Sequence, residues 1–180
     1  SFVLNFNANV TYNKNRITAL YNGVTEFVNS TTGFKYMVGH PVSEYYYNRY
    51  AGVNPANGTQ LWYDKDGNLT DEMLESDKVM TGKSHDPAWW GGFGLDFGWK
   101  GLQLSAQFSW MAERWIVNND RYFDENSAVA QGYNKSRRLL YDRWKQPGDV
   151  TDIPKYGEVL QFDDRLLEDA SFLRLKNLSL

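Results

Sequence analysis

Apolar and polar positions alternate most regularly between residues 91 and 110. Phe93, Leu95, Phe97 and Trp99 take every second place, with Gly94, Asp96 and Gly98 between them. Lys100-Gly101 interrupts, and Leu102, Leu104, Ala106, Phe108 and Trp110 then resume the alternation against Gln103, Ser105, Gln107 and Ser109. Successive side chains of a strand point to opposite faces, so each arm has one apolar face and one small, polar face. A two-residue break ending in glycine suits a tight hairpin turn. Residues 2–12 repeat the pattern: Phe2, Leu4, Phe6, Ala8, Val10 and Tyr12 share one face, while Asn5, Asn7 and Asn9 share the other.

These runs match the ~9–11 residues a tilted strand needs to cross a membrane, whereas strands of soluble proteins more often have ~5–6. Two readings follow. In an outer-membrane barrel the apolar face meets lipid, and Asn5, Asn7, Asp96, Gln103 and Gln107 face the lumen. In a soluble, carbohydrate-binding β-sandwich the apolar face is the core.

The remaining pattern is coarser. The turn residues at 13–16 and at Lys100-Gly101 are the two tightest, which places both on the periplasmic side of a barrel. One ascending strand is then required between them, and the β-formers of 34–50 are its best candidate, although rings fall on both of its faces. Further strands are expected near 91–99, 102–110 and 171–180, five in all. Residues 51–90 and 111–170 read as long loops, extracellular in a barrel. Gln60–Tyr63 with 68–70 makes a short β-pair inside the first, and 71–78 one or two helical turns capped by Asp71. Asn29-Ser30-Thr31-Thr32-Gly33 reads as loop. The sequence starts within a strand pattern, with no Met and no signal peptide, so a piece of a longer chain is expected.

Composition narrows the partners. Net charge is −3 with a pI near 5.4, and no basic stripe exists to neutralise phosphates, which argues against nucleic acid. Aromatics are 16% at a mean hydropathy of −0.60, which fits a barrel wall with wet loops or a sugar-stacking surface. No apolar run reaches the length of a membrane helix. Cysteine is absent, which removes disulfides and thiolate metal sites.

Five stretches, in order, resemble the SusC/RagA-like TonB-dependent transporters of Bacteroidota outer membranes. They are Gly39-His40-Pro41-Val42-Ser43-Glu44-Tyr45-Tyr46, Ala51-Gly52-Val53-Asn54-Pro55 with Leu61-Trp62-Tyr63-Asp64, the hairpin itself, Arg143-Trp144-Lys145-Gln146-Pro147-Gly148-Asp149-Val150-Thr151-Asp152-Ile153-Pro154, and the most specific, Asp164-Arg165-Leu166-Leu167-Glu168-Asp169-Ala170-Ser171-Phe172-Leu173-Arg174-Leu175. Ser43 departs from the family's glycine, and Asp86-Pro87-Ala88-Trp89-Trp90 is more aromatic than its counterpart. The resemblance implies an all-β fold, part of a transmembrane antiparallel β-barrel with long extracellular loops, taken from the C-terminal part of the barrel. It also implies TonB-dependent import of an oligosaccharide or peptide in a Gram-negative outer membrane. The implied partners are a SusD-like surface lipoprotein, the TonB complex acting through a plug outside this sequence, and membrane lipid or lipopolysaccharide. No cofactor is implied.

Asp64, Asp66, Asn68, Glu72 and Glu75 fall at calcium-loop spacing, but Leu69 occupies the position that needs glycine, so an Asp-Gly-Asn turn is the reading and no metal is expected. With His40 and His85 the only histidines, no nucleophilic triad is displayed, and Asp163-Asp164 and Glu168-Asp169 read as solvated loop charges rather than a glycosidase pair; no catalysis is expected. Tyr45, Tyr47, Trp62, Trp89 and Trp90 are the candidates for stacking on substrate, against an interfacial-girdle or packing role.

Overall fold

A computed structural model describes residues 2–29 and 34–180; the loop expected over 30–33 lies outside the described residues. In chain order the strands are β1 (Phe2–Tyr12), β2 (Glu26–Val28), β3 (Lys35–Met37), β4 (Glu44–Tyr47), β5 (Arg49–Val53), β6 (Gln60–Tyr63), β7 (Leu69–Thr70), β8 (Val79–Ser84), β9 (Trp89–Trp99), β10 (Leu102–Ala112), β11 (Trp115–Val117), β12 (Leu167–Asp169) and β13 (Phe172–Ser179). Two short helices, α1 (Asn119–Asp124) and α2 (Arg137–Tyr141), lie between β11 and β12. The fold is all-β and antiparallel, of the kind a β-rich piece of a barrel protein has. The chain divides into two compact units. One comprises Ser1–Glu44, Gly82–Trp115 and Asp169–Leu180; the other comprises Tyr45–Thr81 and Ile116–Glu168.

The first unit is built on a four-stranded meander ordered β1-β9-β10-β13. Its register aligns the apolar positions in rows: Leu4 opposite Phe97 opposite Leu104, then Phe6, Leu95 and Ala106, then Ala8, Phe93 and Phe108. Directly opposed residues share a face, so one face of the sheet is apolar throughout. Phe93 and Phe108 stack at 4.7 Å between centroids, and Phe2 meets Phe97 edge-on at 5.5 Å. Strand β13 keeps this pattern through a bulge. Gln107 faces Asn177 and Phe108 faces Leu175, which leaves Lys176 as the extra residue. Leu173 and Leu175 therefore share the apolar face with Leu178, which an unbroken strand would have turned the other way.

Lys100-Gly101 forms the tight turn, with Lys100 at φ 48° and Gly101 at φ 91°. Two positive φ values match the twist of the flanking strands, which is why this turn closes in two residues.

The topology corrects the expected one. β1 pairs with β9 along its whole length, Phe2 opposite Trp99 through Tyr12 opposite Trp89, so no strand lies between them. Residues 13–16 are not a hairpin turn; they begin the long excursion of 13–88, and the Asn13 N–H donates to the Ala88 carbonyl (2.9 Å). The sheet thus has four strands, and both long connections leave and return at the end opposite Lys100-Gly101.

Residues 34–50 do not make one long strand. They hold β3, β4 and the start of β5, divided by Gly39 at φ 92° and by Pro41, which lacks a ladder donor. Rings on both faces gave this segment no single apolar face to bury.

The second unit carries most of the two stretches that read as loops. β5, which begins at Arg49, forms a three-stranded sheet with β6 and β7, and 51–90 also holds β8 and the first two residues of β9, Trp89 and Trp90. Over 71–78 there is one 3-10 turn, Glu75–Asp77, preceded by Leu74 and not capped by Asp71. Residues 111–170 contain the end of β10, β11, α1, α2 and β12, and are packed around Ile153, Leu160, Leu166 and Leu139. Poor periodicity there reflects short elements held by polar contacts, not absence of structure.

Candidate functional site

The register of the meander assembles one polar face from all four strands. Asn5 lies opposite Asp96, Ser105 and Ser179 in one row; Asn7 lies opposite Gly94, Gln107 and Asn177 in the next. Gln103 follows two residues before Ser105. All five residues expected to face a lumen, Asn5, Asn7, Asp96, Gln103 and Gln107, therefore share one face. The Ser105 hydroxyl donates to Asp96 (2.6 Å), and the Asn9 side-chain amide oxygen accepts from the Gly92 N–H (3.1 Å). Gly94 gives Gln107 its place, since a Cβ there would collide with the Gln107 amide. Small residues on β9 thus let long amides from the neighbouring strand lie flat on the sheet.

The five aromatic candidates are scattered by the structure. Trp89 lies on the apolar face, stacked on Tyr12 at 4.3 Å, whereas Trp90, one residue on, lies on the polar face with Thr11 and Met111. Tyr45 and Trp62 are each 5% exposed and have no ring face to offer a ligand. Tyr47 is half-buried and stacked on Tyr45 at 6.0 Å; burial raises its phenol pKa. Trp89, 37% exposed, and the half-buried Trp90 and Tyr47 keep surface free for contact, Trp89 on the apolar face and Trp90 on the polar one.

Trp62 is instead a structural post. Its indole N–H donates to Asp163 (2.9 Å), which also accepts from Arg165 (3.0 Å). Arg165 lies 3.9 Å over the Tyr50 ring and donates to Gln60 (2.9 Å). The Tyr50 N–H donates to Asp164 (2.8 Å). Asp163 is fully buried, which corrects its reading as a solvated charge. Burial raises its pKa, against the opposing pull of Arg165 and the Trp62 hydrogen bond. Burial likewise pushes the Tyr50 phenol up to about 12. Glu168 accepts from Asn118 (3.0 Å) and Asp169 from Ser171 (2.9 Å), so all four carboxylates considered for a glycosidase pair have structural partners.

A second network carries almost no sequence signal. Arg138 bridges Glu125 and Asp152, and Arg121 joins Glu125 (2.9 Å) and Asp152 (2.7 Å) from the other side. Burial opposes ionisation of Asp152, but the Arg138 hydrogen bonds and the two guanidinium charges hold its carboxyl below the usual range. The one local cue is Ser136 as an N-cap ahead of two arginines; its hydroxyl accepts from the Arg138 N–H (3.2 Å).

The segment 143–155 is fixed along its length. Asp149 accepts from the N–H groups of Lys145 (2.9 Å) and Gln146 (3.0 Å), and the Gly148 N–H donates to Pro55 (2.8 Å). Trp144 covers Gly58, where a Cβ would come within 2.5 Å of its ring. Asp64 is equally occupied. It accepts from Asn68 and Asp66 donors (2.8–3.1 Å), which lowers its pKa and makes the turn expected at Asp64-Lys65-Asp66-Gly67-Asn68. Among the described residues no group of three or more His, Cys, Asp or Glu is placed to hold a metal ion.

No protein-family profile and no curated protein matches this chain. Solved structures do. The chain is similar to a structure of the RagAB peptide transporter (40% identity, TM-score 0.88), and to the RagAB peptide importer in its closed-closed state (40%, 0.87) and its open-open state (39%, 0.89). Each match covers 98% of this chain and 20% of the other. The chain thus spans about a fifth of the length of the structures it matches, with the resemblance running almost end to end.

Proposed function

We propose that this chain is a section of the barrel domain of a SusC/RagA-like, TonB-dependent importer of the Gram-negative outer membrane. The similarity to the RagAB peptide transporter, at 40% identity over 98% of the chain, carries the reading. It also favours a peptide over an oligosaccharide as the imported nutrient. The sheet agrees with it physically. Phe2, Leu4, Phe6 and Val10 all expose their side chains on one face, bounded by Trp99 at one end and by Tyr12 with Trp89 at the other. Ten strand steps of ~3.3 Å, tilted by ~35–45°, span roughly 23–27 Å, close to the ~25 Å apolar band of such barrels.

In this reading lipid or lipopolysaccharide meets the apolar face. Asn5, Asn7, Asp96, Gln103 and Gln107 line the lumen, with Trp90 at its loop end. The connections at that end are extracellular and serve a SusD-like lipoprotein and the substrate. A plug contributed by the rest of the longer protein receives the pull of TonB. The activity is binding and gated passage, without covalent chemistry. Uptake of a labelled oligopeptide by cells making the full-length protein, compared with a deletion strain and with cells lacking TonB, tests it. Uptake lost in both strains supports the reading; uptake unchanged by deletion overturns it.

A further inference from the structure

We propose that the groove between α2 and Tyr156 is an anion-selecting subsite that holds a carboxylate-bearing, otherwise apolar stretch of a peptide. The proposal rests on the importer reading and deepens it. The groove measures about 530 Å³ and lies within the second unit. This is within the ~300–1,000 Å³ of ligand sites. Leu139 and Leu140 supply apolar surface, Tyr141 and Tyr156 supply rings, and no acidic side chain lines it.

Its arginines differ from the three that hold this unit's buried ion-pair networks. Arg121, Arg138 and Arg165 each pair with carboxylates. Arg137 and Arg143 pair with none among the described residues. Each lies over a tyrosine instead, Arg137 5.0 Å from the Tyr141 ring and Arg143 5.8 Å from the Tyr156 ring. A guanidinium stacked on a ring keeps its N–H edge free for a planar, two-point contact with a carboxylate. Lys135 adds a third positive charge, its ammonium held by the Phe123 (2.8 Å) and Val129 (2.6 Å) carbonyls. The whole chain has a net charge of −3, so three cations in one groove without an acid is a local inversion of sign.

The walls are also set in advance. Trp144, next to Arg143, is locked over Gly58, and Ser136 caps α2 beside Arg137. Less ordering is therefore needed when a ligand binds. A neutral glycan would offer the guanidinium edges single hydroxyl acceptors without charge, whereas a peptide with acidic and aliphatic residues gives the edge a charged two-point partner and covers the apolar surface as well.

The test uses the full-length transporter purified in detergent and two synthetic dodecapeptides. One alternates Glu and Asp with Leu and Val; the other carries Gln and Asn in their place. The wild type is expected to bind the acidic peptide at least tenfold more tightly, with the preference shrinking as salt rises. The double variant R137Q/R143Q should lose that preference and keep its affinity for the neutral peptide within about twofold. R137K/R143K, which keeps charge but not the planar edge, should retain part of the preference, and an unchanged melting temperature shows that both variants fold. A wild type that binds both peptides equally, or a double variant that loses both equally, overturns the subsite and leaves the importer standing. Binding of neither peptide by the wild type removes the peptide reading and the subsite with it. Loss of a co-purifying lipoprotein from the double variant, with peptide binding intact, assigns the groove to a protein partner and overturns the proposal.

Discussion

Placing an arginine at Phe6 and, separately, at Asn7 separates the two faces of β1 within one step of the chain. Phe6 sits in the third of six apolar rows, opposite Leu95, while Asn7 sits opposite Gly94 on the polar face. Along the strand Phe6 is roughly 13 Å from Phe2 and 20 Å from Tyr12, hence near the middle of the apolar band once tilt is allowed for. An arginine at mid-bilayer costs ~2–4 kcal/mol, equivalent to roughly 30- to 1,000-fold in the folding equilibrium. Phe6→Ala serves as the reference, so that loss of the ring is not counted as the cost of the charge. Asn7→Arg places its guanidinium among Gln107 and Asn177, on the face proposed to line a wet lumen, and should cost less than ~1 kcal/mol. The measurement is denaturant unfolding of the full-length protein in lipid vesicles, followed by tryptophan fluorescence. Equal costs at the two positions, or a larger one at Asn7, would refute the assignment of faces.

The second unit supports further tests. Asp163→Ala leaves Arg165 buried without its carboxylate and should destabilise the unit by ~3–5 kcal/mol, read as faster hydrogen exchange in β5 and β6; unchanged exchange would show the pair is dispensable. Gly58→Ala puts a Cβ against Trp144 at φ 76° and should cost ~1–3 kcal/mol, with new protease cleavage near Pro147-Gly148; resistance equal to wild type would contradict the packing. Asp152 has a folded pKa below its unfolded value, so its contribution is complete above the unfolded pKa of ~3.9 and is lost as pH falls through the lower folded value. Protection of α2 should therefore persist at pH 5 and decline below about pH 4; a decline already at pH 6 would point to another group.

The meander was legible because period-two alternation is a property of each strand alone. Phe93, Leu95, Phe97 and Leu102, Leu104, Ala106 announce their common face without reference to a partner. What joins strands was less legible. The 13–16 stretch has the polar residues of a tight turn, yet pairing of Tyr12 with Trp89 is a contact over seventy-seven positions that no local pattern encodes. The bulge at Lys176 was hidden for the same reason, since only β10 reveals which residue is extra. Within the second unit, Trp62 and Tyr45 looked like ligand platforms because exposure cannot be read from residue type; Asp163 and the β4–β8 ladder consume them. Arg165, near the head of the Asp164-Arg165-Leu166-Leu167 stretch, is held in a junction with Asp163, Gln60 and the Tyr50 ring, contacts that its neighbours in sequence do not announce.

In the proposed importer the Lys100-Gly101 turn and the long connections stand on opposite sides of an outer membrane. Val150 is 91% exposed and Lys100 is at the turn. Residues 1–180 contain no cysteine, so in a full-length protein cleared of any others, Val150→Cys and Lys100→Cys report without background. A membrane-impermeant maleimide applied to intact cells should label Val150→Cys directly, and Lys100→Cys only after the outer membrane is permeabilised. Labelling of Lys100→Cys on intact cells, with Val150→Cys protected until permeabilisation, would contradict the account.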